Sequence, residues 1–524
     1  MTSRREVVLF NGSAGEEAFS RRMRAVSLGS RPSFVRLSFV EPDGARMPGF
    51  HVRETPYGEE AVAAVPKARR RKAWTGRIDE MWLDAPDEHL HLAQPDTLVH
   101  LPEDVDPGGA FLKTPDGWRR KGQSRPARTL PERVLVVGAG LAGAFVTEAL
   151  TARGVRVTVL DAHQVPAAGA SALCCGLLHP HWQASDNPLF ALTRAGFACA
   201  RETLLRHPDC WAPVGVLDVA RDEETERAWM AARAEARPFP MPSDFARWVS
   251  RDEAQSLSGL SVNRSAWWYE GAGLVRVGRL ARTLLAESGA PIRCNTRVSL
   301  ERRAGEWLAL TPAGEVAARA DAVVIAAGCA SAGLANLPDT LLPIEPLYGR
   351  ISLLGNDPYP GLRTALTGHG YLGKLDGFVG VGATYERGDA RVLTAEAAHE
   401  HNFETFGDVV TPAETPLPVA FYEGVRAVSA DRLPVVGAAP DAEALRGLAF
   451  RGVPQEKDLP TAEGLWLCTA MGSRGITWGR LCAQTLVREM AGEAPLLEAA
   501  LVGALSPLRF AARAYRASGG KALF

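Results

Sequence analysis

The stretch Val134-Leu135-Val136-Val137-Gly138-Ala139-Gly140-Leu141-Ala142-Gly143 decides the fold of this chain. Its first four residues are an apolar, largely β-branched run, which is typical of a strand buried on both faces of a parallel sheet. In the turn after this run, Gly138 permits the sharp change of direction, Gly140 lets the backbone approach a pyrophosphate, and Gly143 lets the next helix pack closely. Ala142 to Arg153 is the predicted helix, and its N-terminus would face the phosphates with free N–H groups.

A second strand and an acidic residue complete this unit. Val155 to Leu160 predicts the strand, and Asp161 follows it, eighteen residues after Gly143. A carboxylate at this position can accept hydrogen bonds from the ribose hydroxyls of an adenosine. Strand, turn, helix, strand and acid in this order predict an ADP-containing cofactor, in preference to a glycine-rich loop without a ligand.

Glycine-rich segments farther along the chain favour FAD over NAD. Gly169-Ala170-Ser171 and Gly176 form a small-residue loop that would let the backbone pass close to a flat ring. Gly472-Ser473-Arg474-Gly475-Ile476 opens a predicted helix whose N-terminus would face the electron-rich pyrimidine end of a reduced flavin. The predicted cofactor-binding residues are Gly138, Gly140, Gly143, Asp161, Ala170, Ser171, Gly176, Gly328, Gly472, Ser473, Gly475 and Ile476.

Parallel and antiparallel strands alternate along the chain. Ala322 to Ala327 and Gly464 to Thr469 are apolar runs that predict further parallel strands, whereas Tyr371 to Tyr385 has the alternation of antiparallel ones. We therefore predict an α/β fold with a Rossmann-like FAD-binding domain and a mixed antiparallel-sheet substrate domain. The FAD part covers about 131–185, 270–345 and 425–515, and the substrate part about 186–269 and 346–424.

Composition excludes several classes of protein. The formal net charge of −1 provides no global attraction to nucleic acid or anionic lipid. The N-terminus lacks the apolar stretch of a secretory signal and no run of eighteen apolar residues occurs, which predicts a cytoplasmic protein that does not span a membrane. The eight cysteines show no CxxC spacing and HExxH is absent, so we predict no metal.

The motifs resemble the D-amino acid oxidase superfamily of FAD enzymes and, within it, the FAD-dependent C-terminal module of the tRNA-modifying MnmC proteins. The resemblance covers about 133–515, and its most particular markers are GATYERGD, DRLPVVG and the tail from GSRG to PLRF. It implies a fold of the D-amino acid oxidase type and oxidation, by FAD, of the carboxymethylaminomethyl group on wobble uridine 34 of tRNA. A hydride would pass from the glycine-like methylene to the flavin, hydrolysis of the imine would leave aminomethyluridine and glyoxylate, and oxygen would reoxidise the flavin to give peroxide.

Three residues are implied as catalytic by this resemblance. Arg426 matches the position of a carboxylate-binding arginine in glycine-oxidising relatives, Arg474 matches a second arginine near the flavin, and Tyr371 is a hydrogen-bonding partner. No general base is assigned, because a free secondary amine already carries the necessary electron pair. The chain departs from the family at two places. Leu173 stands where asparagine is usual, and Tyr348-Gly349-Arg350 stands where Arg-Gly-Gln is usual. The resemblance therefore specifies the cofactor more firmly than the exact substrate.

Residues 1–130 form a separate segment of unassigned fold, reduced or replaced relative to the methyltransferase that the full bifunctional protein carries. We find there no glycine-rich turn after an apolar strand that could hold S-adenosylmethionine, and the fragments 79–84 and 106–109 are too short to indicate methylation. Methyltransferase activity is therefore not predicted, and a separate methyltransferase would act on the product. Lys67 to Lys72 is either a phosphate-contacting run for tRNA or a solvated helix face.

Two other functions fit the sequence. The first is an FAD-dependent oxidase or dehydrogenase of a free small amino acid, such as glycine, sarcosine or a D-amino acid, which would leave residues 1–130 unexplained. The second is a tRNA-binding scaffold with a vestigial flavin domain, which would predict poor flavin retention and no turnover. Loss of the modified nucleoside from tRNA would distinguish tRNA oxidation from both of these functions.

Overall fold

The structure is a computed structural model and describes residues 6–27, 34–41, 47–55, 58–65, 78–85, 89–122, 129–387, 393–407, 409–450, 452, 454–493 and 495–523. The chain divides into two compact units, which are Met1–Leu130 with Gln484–Ala504 and Pro131–Ala483 with Leu505–Phe524. Within the described ranges, no helix is both long enough and apolar enough to cross a lipid bilayer. The run Lys67 to Lys72 and the Gly388-Asp389 end of GATYERGD lie outside the described residues.

The first unit is built on one eight-stranded sheet, and its elements in chain order are β1 (Glu6–Phe10), α1 (Gly12–Ser27), β2 (Phe34–Val40), β3 (Gly49–Thr55), β4 (Gly58–Ala64), β5 (Glu80–Trp82), β6 (Leu98–His100), β7 (Phe111–Thr114) and β8 (Gly117–Arg120). The strand order is β3-β4-β2-β1-β5-β6-β8-β7. The five central strands β4, β2, β1, β5 and β6 run parallel to one another. β3 pairs antiparallel with β4 at one edge, and β8 and β7 complete the other edge with antiparallel pairs. Fragment 79–84 therefore contains a strand of this sheet.

A glycine turn follows the first strand of this unit. β1 is buried from Val7 to Phe10, and the chain then enters α1 at Gly12, whose φ is 77°. A methyl group at Gly15 would lie 3.0 Å from the carbonyl carbon of Phe10, so the helix packs closely against the end of the strand. Residues 1–130 therefore contain a glycine turn after an apolar strand that was not predicted from the sequence. The strand has only five residues and its glycines stand among polar residues, which hid the pattern.

The second unit contains the remaining strands and most of the helices. Its strands are β9 (Arg133–Val137), β10 (Arg156–Leu160), β11 (Gly176–Leu178), β12 (Trp211–Ala212), β13 (Val216–Val219), β14 (Arg247–Val249), β15 (Ala266–Tyr269), β16 (Gly273–Val275), β17 (Ile292–Arg293), β18 (Ser299–Arg303), β19 (Glu306–Leu310), β20 (Val316–Ala320), β21 (Ala322–Ile325), β22 (Ile344–Leu354), β23 (Ala365–Thr367), β24 (Tyr371–Leu375), β25 (Phe378–Gly382), β26 (Glu386–Arg387), β27 (Pro418–Ser429), β28 (Val435–Pro440) and β29 (Thr461–Thr469). The helices after α1 are α2 (Leu141–Thr151), α3 (Pro188–Arg206), α4 (Glu223–Ala234), α5 (Arg251–Ser258), α6 (Val277–Glu287), α7 (Ser331–Leu334), α8 (Ala395–Gly407), α9 (Ala442–Leu445), α10 (Gly475–Ala491), α11 (Ala499–Leu505) and α12 (Leu508–Ala517).

A six-stranded sheet of this unit carries the glycine turn. Its order is β17-β10-β9-β21-β29-β28, and all neighbours are parallel except β28 with β29. β9, β10, β21 and β29 are the four strands predicted from apolar runs, so the Rossmann-like α/β fold class is confirmed. The carboxyl ends of parallel strands meet at one edge of a sheet, and the segments that follow these four strands therefore converge there.

A nine-stranded sheet provides the predicted mixed, mainly antiparallel layer. Its order is β14-β15-β13-β23-β24-β25-β22-β26, with β27 paired to β22, and β13–β23 is its parallel pair. Leu217 and Val219 face a core that also holds Ala254 of α5 and Phe406 of α8. Successive side chains on a strand point to opposite faces, so Asp218 lies on the other face, which we call the inner face.

An ion pair fixes the DRLP segment to the last helix. The Asp431 carboxylate accepts hydrogen bonds from Arg509 Nε at 2.8 Å, from Arg509 Nη2 at 2.9 Å and from Arg513 Nη1 at 2.6 Å. Burial raises the pKa of Asp431, but the hydrogen bonds and charges of the two arginines outweigh it and hold that pKa well below its ordinary value. Two marker motifs of the sequence, DRLPVVG and PLRF, are thus joined by one carboxylate.

Asp431→Asn is expected to lower the free energy of unfolding by about 3 kcal/mol at neutral pH, because it leaves the buried Arg509 guanidinium without its counter-charge. Since the folded pKa is lowered, the pair stabilises the protein above the unfolded pKa of about 3.9, and this contribution is lost as the pH falls towards the folded pKa. Urea unfolding at about pH 7 and about pH 3 measures the difference from wild type. A difference that does not shrink at the lower pH, or that the exposed control Asp339→Asn reproduces, would contradict this.

Candidate active site

The glycine turn after β9 is held by close backbone contacts. Gly138 has a φ of 114°, and a methyl group there would lie 2.5 Å from the carbonyl oxygen of Ala326. A methyl group at Gly143 would lie 1.8 Å from the carbonyl oxygen of Gly138. These two positions accept only glycine without movement of the backbone.

Gly140 differs from its two neighbours in the turn. Its φ of −76° is ordinary, and a methyl group there would meet only Ser171, with Oγ at 3.1 Å. The backbone N–H of Leu141 donates to the same Oγ at 2.9 Å. The space beside Gly140 at the start of α2 is therefore left open by the protein, and a pyrophosphate of FAD fits there on a helix N-terminus.

Asp161 stands at the end of β10 beside this turn. Its side chain is buried, Oδ2 accepts from the backbone N–H of Ala139 at 2.6 Å, and Oδ1 accepts from the backbone N–H of His163 at 2.7 Å. The carboxylate therefore holds the turn in place. Each carboxylate oxygen can accept more than one hydrogen bond, so a ribose hydroxyl can share it.

The later glycine segments meet at the same edge of the six-stranded sheet. Gly328 follows β21, and its carbonyl accepts from Thr469 Oγ1 at 3.2 Å, at the end of β29. Gly472 is the next turn after β29, and a methyl group there would lie 3.8 Å from Val428 of β27. Farther on, a methyl group at Gly176 would meet Ile476 Cδ1 at 2.6 Å. Ala170, Ser171, Ser473 and Gly475 belong to these segments, and their contact with the cofactor stays a prediction.

One row of residues crosses the inner face of the nine-stranded sheet. Each member is the register partner of the next, from β14 to β27, and we call this set the inner row: Trp248, Trp267, Asp218, Thr367, Tyr371, Gly382, Ile351 and Tyr422. Directly opposed residues share a face of a sheet, so these side chains point to the same side. Tyr422 donates from its hydroxyl to the carbonyl of Gly169 at 3.1 Å, which ties this row to the predicted FAD loop.

Tyr371 stands near the centre of the inner row. Its hydroxyl donates to the carbonyl of Cys175 at 2.9 Å, just before Gly176. Burial raises the pKa of Tyr371 well above its ordinary value, so the phenol stays protonated. Because its proton is already donated, its oxygen is left to accept a hydrogen bond from a ligand.

Arg426 lies on the same face as Tyr371, on β27. A methyl group at Gly349 would lie 2.0 Å from Arg426 Nη1, so the guanidinium covers this glycine. It also lies 4.8 Å from the ring centroid of Tyr385. Nη1 approaches the carbonyl of Thr384 at 3.4 Å, and within the described part of the chain no carboxylate pairs with this half-buried guanidinium. Such a group can bind a carboxylate through two parallel hydrogen bonds.

The departures at Tyr348-Gly349-Arg350 and Leu173 lie beside the inner face and the loop before β11. Gly349 is the member of its trio that faces Arg426, whereas Arg350 points to the other face and pairs with Glu423 at 2.8 Å. Leu173 packs within 3.4 Å of a methyl group built at Gly176. The chain therefore keeps a glycine at position 349, where the Arg426 guanidinium leaves no room for a side chain.

Arg474 stands beside two histidines. Its guanidinium lies 5.4 Å from the ring centroid of Trp478, and burial lowers its pKa. Burial lowers the pKa of His179 to about 3, and burial with the charge of Arg474 lowers that of His181 to about 4. Both imidazoles are neutral at physiological pH. His179 Nδ1 donates to the Pro180 carbonyl at 2.8 Å, which leaves Nε2 as an acceptor.

Sequence reasoning missed several residues of this site. The sheet register brings in Gly349, Asp218 and Tyr422. The loop after β11 brings in His179 and His181, and Tyr385 lies in the short segment between β25 and β26. The signal for Asp218 was its place between apolar neighbours in Val216-Leu217-Asp218-Val219, since an acid inside a buried strand is rare.

Asp218→Asn is expected to remove a pH-dependent destabilisation. Burial raises the pKa of Asp218 to about 7, against about 3.9 in the unfolded chain. The folded state therefore keeps its full stability below about pH 4 and loses it as the pH rises through the folded pKa. Relative to wild type, the variant should gain about 4 kcal/mol of unfolding free energy between about pH 4 and pH 8. Parallel curves of unfolding free energy against pH for the two proteins would refute this.

Comparison with known proteins agrees with this geometry. The sequence profile of a family described as FAD dependent oxidoreductase matches residues 133–489. The tRNA 5-methylaminomethyl-2-thiouridine biosynthesis bifunctional protein MnmC of Cupriavidus metallidurans is 34% identical over 423 residues, which are 76% of this chain and 62% of that protein. The protein of the same name from Polaromonas naphthalenivorans is 30% identical over 512 residues, which are 92% of this chain and 76% of that protein. This chain thus spans less than two thirds of the first of these relatives.

Solved structures share the fold. Glycine oxidase from Geobacillus kaustophilus superposes with a TM-score of 0.55 at 24% identity, over 68% of this chain and 95% of that one. Iminodiacetate oxidase from Chelativorans sp. BNC1 superposes with a TM-score of 0.53 at 23% identity, over 69% and 96%. In both, the likeness covers somewhat more than two thirds of this chain and nearly the whole of the other.

Proposed function

Because the chain belongs to the family of FAD-dependent oxidoreductases and groups within it with the MnmC proteins, we propose that it oxidises the carboxymethylaminomethyl side chain of wobble uridine 34 in tRNA. The products would be aminomethyluridine and glyoxylate. FAD is the cofactor, and when bound it accepts the two electrons that leave the carbon–nitrogen bond.

The observation that carries this proposal is the half-buried guanidinium of Arg426. It faces the inner side of the sheet over Gly349, and no described carboxylate neutralises it. An unpaired charge in such a place favours an anionic ligand. The terminal carboxylate of the side chain would take that position, bound by both nitrogens of the fork.

The amine of the substrate would lie on the Tyr371 side of this arginine. The phenol oxygen can accept the amine N–H, since its own proton is donated to the Cys175 carbonyl. Such a contact would orient the nitrogen with its lone pair free. The buried guanidinium of Arg474, which interacts with Tyr385, would disfavour a second positive charge in this region, and this favours the deprotonated, reactive amine.

A tRNA substrate also indicates where in the cell the reaction would occur and which kind of reaction would use its product. We place the protein in the cytoplasm, where tRNA is available. The primary amine of the product is a nucleophile, so the consuming reaction would be a methyl transfer to nitrogen by a separate methyltransferase.

The test is to purify the flavin-loaded protein and incubate it under air with tRNA that carries the carboxymethylaminomethyl group. Nucleoside analysis of the digested tRNA should show loss of that nucleoside, and glyoxylate should appear in equal amount. Glycine and sarcosine are assayed in parallel. Turnover of either with tRNA left unchanged would establish the free amino acid oxidase instead, and poor flavin retention without any turnover would indicate the scaffold.

A further inference from the structure

We propose that a cavity in the same unit, apart from the Arg426 and Tyr371 side chains, binds a base and a neighbouring phosphate of single-stranded RNA close to the uridine that is oxidised. This inference rests on the proposed function and extends its binding site. The cavity has a volume of about 320 Å³, within the range of small-ligand sites. Its principal lining residues, which define what we call the tryptophan cavity, are Trp182, Arg233, Arg237, Phe239, Trp248 and Trp267.

The tryptophan cavity continues the face that carries the substrate site. Trp248 and Trp267 are the first two members of the inner row, and Tyr371 is the fifth. Three strand spacings separate Trp267 from Tyr371, which is about 14 Å. An RNA strand with its uridine at Tyr371 can therefore reach the tryptophans with a nucleotide near the uridine in sequence.

The aromatic walls offer both stacking surfaces and unused hydrogen-bond donors. The rings of Trp182 and Trp267 are stacked with centroids 5.1 Å apart, and Trp248 meets Trp267 edge-on at 5.5 Å. Trp182 and Trp267 are each only 4% exposed, yet among the described residues neither indole N–H has an acceptor. A buried donor without a partner is unfavourable. An acceptor atom of a base would reach these buried donors only if the indole rings moved, so stacking on the less buried Trp248 would be the principal aromatic contact.

The charges at the cavity select an anion. Three arginines line it, and none of its described lining residues is acidic. Arg237 pairs with Glu235 at 2.7 Å and Arg247 pairs with Glu253, whereas Arg233 has no carboxylate partner in the described part of the chain. Because the arginines make the cavity positively charged, it would repel a cation and is not an aromatic cage for a cationic ligand. Stacking surfaces beside arginines are the combination by which proteins bind unpaired nucleotides.

Binding of RNA to the flavin-loaded protein tests this inference. The probe is a fluorescently labelled anticodon stem–loop RNA with an unmodified uridine, and the dissociation constant is measured by anisotropy at one fixed salt concentration. Trp248→Ala should weaken binding about tenfold, because base stacking is lost, and Trp248→Phe should restore most of it. Arg233→Ala should weaken binding several-fold. The matched control is Arg227→Ala, which removes an exposed arginine of the same helix that pairs with Glu223 at 3.9 Å and does not line the cavity.

The outcomes separate this inference from the proposed function. Wild-type affinity in both Trp248→Ala and Arg233→Ala, with flavin content and thermal midpoint unchanged, would overturn the tryptophan cavity as an RNA site. An equal loss of affinity in Arg227→Ala would also overturn it, since that would indicate a general effect of charge. Absence of RNA binding by the wild-type protein would overturn it as well. Failure of the proposed function would appear differently, as intact carboxymethylaminomethyl nucleoside in tRNA that the protein nevertheless binds through the cavity.

Discussion

Gly140→Val is expected to abolish FAD binding while the protein stays folded. In the protein alone, a side chain at this position meets Ser171 and no other residue of the described ranges, and the backbone φ is ordinary. The branched side chain would instead fill the space at the start of α2 that we expect the pyrophosphate of FAD to occupy. Because a bound cofactor stabilises the folded state, the variant should also melt at a lower temperature that no longer depends on added FAD.

Flavin absorbance per mole of purified protein measures the loss, and circular dichroism shows whether the fold is kept. Gly143→Ala and Gly138→Ala are unsuitable for this purpose, since their methyl groups would collide with backbone oxygens. Gly333→Val is the matched control, because no atom lies within 4 Å of a methyl group built there. Wild-type flavin content in Gly140→Val would show that the turn does not hold the cofactor.

The nucleotide-binding part of the fold could be predicted from sequence because its signals are local. Four apolar runs became β9, β10, β21 and β29, and the glycines of the turn stand next to the strand that they terminate. Parallel strands buried on both faces need continuous apolar sequence, which is visible without knowledge of their partners. The five-residue strand β1 followed the same rule, but its glycine turn was too short and polar to recognise.

The substrate face could not be predicted in the same way because its composition depends on pairing register. Asp218, Trp267 and Tyr371 lie far apart in sequence, and they meet only because β13 pairs with β15 on one side and with β23 on the other. A shift of one residue in any pair would turn that strand's side chains to the opposite face. The resemblance supplied Arg426 and Tyr371, while the glycine that Arg426 covers became visible only with the strands in place.

Arg426→Ala is expected to lower kcat/KM for carboxymethylaminomethyl tRNA by two to three orders of magnitude, with FAD still bound. A charge-assisted, bidentate contact that is lost from a partly buried site corresponds to about 3–4 kcal/mol, and each 1.36 kcal/mol is about tenfold in rate. Arg426→Lys keeps the charge but not the planar fork, so its loss should be smaller, about tenfold. The exposed Arg446→Ala is the control and should behave as wild type.

A substrate without the carboxylate decides whether Arg426 recognises that group. A tRNA bearing a methylaminomethyl side chain keeps the amine and the oxidisable carbon–nitrogen bond but offers nothing for the guanidinium to bind. Wild type should oxidise it poorly, and Arg426→Ala should be hardly worse than wild type on it, since the interaction is already absent. If the substitution instead slows both substrates by the same factor, Arg426 does not bind the carboxylate, and its role would have to be sought in the position of Tyr385 or of the strand β27 that carries it.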